Sequence, residues 1–198
     1  GGALVAFSLM ALITAVAFLL SVRLNALVVA VLGILGGFLT PVLCSSGEDN
    51  HWGLFTYIAL LDIGLLMVAK HRRWFFLTLL GAAGTVLMQW SWFASYFSSG
   101  HYDEGMATLI PMGVVLAFTA LFTFGAGHSR LRDQEDPYPL NAALLQCAFG
   151  LVAAFHFLSY EGITGRPFLL YGYTFLINIA VLGVIFIAPR LGVIQVAA

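Results

Sequence analysis

Seven apolar runs, at residues 4–22, 24–44, 53–69, 74–97, 106–126, 140–160 and 168–188, leave this chain almost no choice of solvent. Each lies near the roughly 20 residues that a helix rising ~1.5 Å per residue needs to cross ~30 Å of hydrocarbon. Backbone polar groups in lipid must be satisfied inside the protein, which leaves helices and closed β-barrels. A barrel needs runs of about ten residues with alternating polarity, and these runs do not alternate. The expectation is an all-α, polytopic transmembrane helix bundle of seven spans, a single membrane-embedded region over residues 1–198. Charged residues are 9% of the chain and hydrophobic ones 61%, against about 25% charged in soluble domains.

The basic residues orient the spans. Arg23, Lys70, Arg72, Arg73, Arg130, Arg132 and Arg190 fall in every second gap between the runs, and Arg166 alone falls in the other set. Basic loops stay on the cytoplasmic side, so Gly1 is expected outside and Ala198 inside a bacterial inner membrane. Trp52 and Trp74 stand at the starts of runs, and Trp90 and Trp92 near the outer end of the fourth, positions that suit amphipathic rings at the membrane interface. Both ends of the chain are apolar and no initiator Met is present, which reads as an excerpt of a longer polytopic protein. The expected partners are the lipid bilayer and further spans of the same chain or other membrane subunits. A net charge of −1 offers no basic face for nucleic acid.

Four polar side chains inside the runs are the candidates for chemistry: Asp62, Gln89, His156 and Asn178. Asp62 is the one acidic residue within a run, ten residues from Trp52 and so near mid-membrane, where an aspartate costs roughly 2.5–3.5 kcal/mol. It must face protein or water. Asn178 lies at the same level, ten residues into the seventh run, and pairs with Asp62 if those helices touch. Asp62 is then either a proton or ion relay or polar substrate contact, or a structural hydrogen-bonding group between helices.

The second run, LGILGGFLTPVLC, carries Gly33 and Gly37 at small-xxx-small spacing, with Gly36 widening the groove. Pro41 cannot donate to the carbonyl of Gly37, so a kink is expected near Gly36 to Thr40. The plain reading is a packing groove and a bend; the sharper one is a broken helix whose freed carbonyls line a polar site. The fourth run has a comparable groove at Gly81 in GAAGT, followed by Gln89. His156 lies at about the depth of Gln89, with Glu161 just beyond it. His51, His101, Asp49, Asp103 and Glu104 add to this outer-face collection, but no HxxxH or HExxH spacing occurs, and neither a metal nor another cofactor is expected. Cys44 and Cys147 lie at different depths, which argues against a mutual disulfide and for packing by Cys147. No catalytic residue stands out. A retinal protein needs a lysine within a span, and Lys70, the sole lysine, is in a loop. Haem ligation across helices, or an intramembrane zinc site, needs more intramembrane histidines than His156.

The segments LGILGGFLTPVLCSSG, YIALLDIGLLMVA and HRRW occur in this order over residues 32–74. They resemble the bacterial family of predicted multi-pass membrane proteins known as a domain of unknown function (DUF 2339), with Gly36, Gly37, Thr40, Pro41, Tyr57, Asp62, Gly64 and Trp74 as the matching residues. The resemblance implies longer chains with more spans and a soluble N-terminal segment. It supplies no activity, substrate or cofactor. The leading functional expectation is transport or flipping of a small or lipid-linked solute around Asp62, Asn178 and the Gly36–Pro41 segment. A scaffold subunit is the main rival, and an intramembrane lipid- or glycan-modifying enzyme using His156 and Glu161 comes third.

Overall fold

A computed structural model describes residues 26–43, 49–97, 102, 105–130, 136–160, 163 and 165–188, together with scattered positions before residue 26. The described residues form six α-helices and no strand: α1 (Leu27–Leu43), α2 (His51–Arg72), α3 (Phe76–Tyr96), α4 (Leu109–Arg130), α5 (Tyr138–Phe157) and α6 (Pro167–Ile187). A 3-10 turn, Gly105–Thr108, leads into α4. Helices α2 to α6 are long and apolar enough to cross a membrane; α1, with 17 residues, is a shorter apolar helix. The expected run at 4–22, Cys44, and the acidic residues Glu48, Asp103, Glu104 and Glu161 lie outside the described residues or almost entirely so.

Local chemistry sets the helix ends. Helix α2 starts at His51, two residues before the apolar run, because the Asn50 side chain accepts the Gly53 N–H at 3.0 Å. It also runs further than the apolar run, so that Lys70, His71 and Arg72 form its last turn and not a connector. Basic side chains there face the negative end of the helix dipole. The chain then reverses at Arg73, which adopts left-handed backbone (φ 58°) while the Trp74 N–H closes on the Ala69 carbonyl at 2.9 Å. A residue with a Cβ pays about 1–2 kcal/mol for that conformation. Arg73→Gly is therefore expected to be more stable than Arg73→Ala by ~1 kcal/mol, both variants having lost the same charge. Equal unfolding midpoints for the two in detergent would refute the strain. Helix α6 begins with Pro167 at its first position, where the missing N–H costs nothing.

The chain divides into two compact units, residues 1–85 and 86–198, with the boundary inside α3. In the first, α1 packs on α2, and the start of α3 returns antiparallel along α2. In the second, α4, α5 and α6 pack on one another. An aromatic cluster joins the end of α3 to α5: Phe93 stacks on Phe149 at 6.0 Å, and Phe97 meets Tyr160 edge-on at 4.4 Å. Trp92 departs from the interfacial expectation. It is 3% exposed, against Tyr102 and Phe93, because it lies on the packed side of α3, whereas Trp52 and Trp90 stay exposed. Of α6 only Tyr173, Ile177 and Val184 are buried, so most of its apolar surface faces outward.

Candidate functional site

The reversal at Arg73–Trp74 sets the register of the α2–α3 hairpin. Asp62 lies eleven residues before Arg73, and Thr85 lies eleven after Trp74. At ~1.5 Å per residue both stand about 16 Å from the turn, level with each other. Asp62 is 0% exposed, and its Oδ2 accepts a hydrogen bond from the Thr85 hydroxyl at 2.6 Å. Its other oxygen, Oδ1, has no hydrogen-bond partner among the described residues. Gly81, one turn before Thr85, makes the room: a Cβ there would stand 3.3 Å from Oδ1 and 2.9 Å from Leu65 Cδ2.

Two further close approaches bring α1 against α2 and α3. At Gly84 a Cβ would lie 2.6, 2.7 and 2.8 Å from three atoms of the Phe38 ring, so α1 and α3 approach through a bare glycine surface. At Gly37 a Cβ would lie 2.8 Å from Leu61 Cδ1 on α2. Helix α1 is unbroken through Pro41. That corrects the broken-helix reading, and the hydrogen bonding gives the reason. Pro41 leaves the Gly37 carbonyl without its helical donor, and the Tyr57 hydroxyl of α2 donates to it at 3.1 Å. Thr40 donates to the Gly36 carbonyl at 2.8 Å. The freed carbonyl is thus a joint between helices. Gly36, by contrast, is exposed with nothing within 4 Å of an added Cβ, and Gly33 is half-buried.

The second unit holds the other candidates. Gln89 is 0% exposed, and neither its amide nitrogen nor its oxygen has a partner among the described residues. Asn178, the expected partner of Asp62, is exposed and donates to the Thr174 carbonyl of its own helix at 2.8 Å. His156 sits among rings, stacked on Phe93 at 6.1 Å and 5.9 Å from Trp90, with the Tyr160 hydroxyl 3.5 Å from its Nε2. Cys147 is a buried free thiol. Tyr173 repeats the Tyr57 device, donating to the Gly150 carbonyl at 2.8 Å where Ile177 packs on the glycine. At the start of α2, His51 meets Asp49 of the preceding loop at 3.8 Å. Among the described residues no three His, Cys, Asp or Glu side chains gather as a metal site requires.

The pairings of Thr85 with Asp62, Tyr57 with the Gly37 carbonyl and Gly84 with Phe38 escape a reading of the sequence as isolated runs. The hairpin register would have pointed to Thr85, since both positions are equidistant from a visible turn. Nothing in the sequence singles out Tyr57 as the donor to Gly37.

Helices of this apolarity, joined by buried polar contacts and glycine approaches, define a helical membrane protein. Residues 2–161 match the family described as "Predicted membrane protein (DUF2339)", and the chain belongs to that family. The match extends well beyond the stretch at residues 32–74 that carries the legible motifs, and it stops before α6. No curated protein and no solved structure matches the chain.

Proposed function

We propose that this chain crosses a bacterial inner membrane seven times, N-terminus outside and C-terminus cytoplasmic, and serves the transport or flipping of a small or lipid-linked solute, with Asp62 as its polar contact or proton relay. The observation that carries the reading is a fully buried carboxyl with one hydrogen bond and one oxygen without a described partner. An intramembrane acid is costly and is retained where it exchanges a proton or meets a polar solute. A scaffold role is the second reading, favoured by the close glycine contacts at Gly37, Gly81 and Gly84, which serve packing and need no solute.

Water access separates the two. In a background lacking Cys44 and Cys147, Asp62→Cys is expected to react with a small cationic thiosulfonate in intact membranes, while Leu65→Cys, one turn along the same helix and 0% exposed, stays silent. Reaction at an Asp49→Cys control with none at Asp62→Cys would sink the transport reading in favour of the scaffold. The same series tests orientation. Asp49→Cys should react from outside intact cells and His71→Cys only after permeabilisation, and reaction of both from one side would overturn the proposed topology.

A further inference from the structure

We propose that the ion served by Asp62 is the proton: its carboxyl takes up and releases H+ at Oδ1 and admits no metal cation. The inference deepens the transport reading and rests on it. Asp62 is 0% exposed, and among the described residues its one hydrogen-bonded partner is Thr85, whose hydroxyl donates to Oδ2 at 2.6 Å. Together the two side chains supply three oxygen atoms. Ca2+ takes about six to eight oxygens and Mg2+ an octahedral set, and K+ needs a full set of carbonyls to replace its hydration shell. The backbone carbonyls of α2 and α3 at this level close helical hydrogen bonds instead.

The free side of the carboxyl is lined by carbon. A Cβ placed on Gly81 would stand 3.3 Å from Oδ1, and the other atoms nearest to it are the two Leu65 methyls, at 2.9 and 3.4 Å. Methyl groups offer a cation no lone pair, whereas a proton needs only the oxygen that bears it. Uptake transfers H+ from water to the carboxylate and forms an O–H bond at Oδ1, because Oδ2 already accepts the Thr85 hydrogen. Release is the reverse step, with no change of oxidation state. Thr85 is a positioning residue, holding Oδ2 so that Oδ1 faces the bare side of Gly81.

No described charge stands in for that proton. Helix α1 and α3 as far as Thr85 hold no ionisable residue. Along α2, Lys70, His71 and Arg72 lie eight to ten residues from Asp62, about 12–15 Å by helical rise, and His51 is further off at the other end. The Tyr57 hydroxyl, five residues away, donates to the Gly37 carbonyl.

The test is infrared difference spectroscopy on the full chain in phosphatidylcholine vesicles, between acidic and alkaline buffer. A carboxylic-acid C=O band is expected that is lost as pH rises, shifts in D2O and is absent from Asp62→Asn. Thr85→Val, which removes the positioning hydroxyl, should shift the band, and Thr85→Ser should return it; these shifts assign the band even where Asp62→Asn fails to fold. Adding Na+, K+, Mg2+ or Ca2+ at constant pH should leave it unchanged. Loss of the band on adding any of these ions would overturn the proposal, as would an Asp62 band that neither titrates nor shifts in D2O. The transport reading fails separately. A thiosulfonate-reactive Asp62→Cys with no titrating band in the wild type overturns the proton alone, and an unreactive one with no titrating band overturns both.

Discussion

Gly84→Ala is expected to destabilise the protein by up to about 2 kcal/mol, although the same change in an open helix stabilises it. One added methyl meets three atoms of the Phe38 ring at 2.6–2.8 Å, and a planar ring wedged between helices cannot yield by turning one bond. Overpacking of this kind costs about 1–3 kcal/mol, and the gain in helix propensity from Gly to Ala offsets roughly 1 kcal/mol of it. Gly36→Ala is the matched comparison. It lies in a helix facing open space, so only the propensity gain remains and stability should rise by up to ~1 kcal/mol. Thermal unfolding of both variants in mild detergent checks the pair. A Gly84→Ala midpoint raised as far as that of Gly36→Ala would show that α1 and α3 do not meet through this glycine.

The second large effect is a coupling between Pro41 and Tyr57. In the wild type the Gly37 carbonyl receives its hydrogen bond from Tyr57 because Pro41 has no N–H to give. Tyr57→Phe strands that carbonyl in a buried, apolar setting, at a cost of about 1–3 kcal/mol. In the Pro41→Ala background the alanine N–H returns to the carbonyl, and Tyr57→Phe should then cost much less. The double-mutant cycle is expected to give an interaction energy of ~1–2 kcal/mol. Because other contacts of Tyr57 are lost in both backgrounds, they cancel in the cycle. Additive losses would mean that the tyrosine stabilises α2 for reasons unconnected with the proline.

Helix positions were legible from local chemistry. The runs at 53–69, 74–97, 106–126, 140–160 and 168–188 became helices whose limits moved by a few residues, since length and apolarity are carried by contiguous residues. The shifts trace to single side chains: Asn50 capped α2 earlier than hydropathy suggests, and the dipole of the same helix drew Lys70 to Arg72 into its last turn. The family motif was equally local, and Gly37, Pro41, Tyr57 and Asp62 are all built into the first unit.

Side-chain pairing was legible only in part. Asp62 announced itself because a carboxylic acid inside an apolar run is expensive wherever it points, yet depth alone suggested Asn178, which bonds within its own helix, and left Thr85 unnoticed. Gly33, Gly36 and Gly37 look alike in sequence, but one is half-buried, one faces open space and one lies under Leu61. Apolarity and length are properties of a run and survive any arrangement of its neighbours, so composition and order settle that these segments are helices in lipid. Which face of each helix is covered depends on rotation and register, to which a uniformly apolar surface gives almost no signal, and there the packing of neighbouring helices chooses Thr85 for Asp62 and Tyr57 for the Gly37 carbonyl.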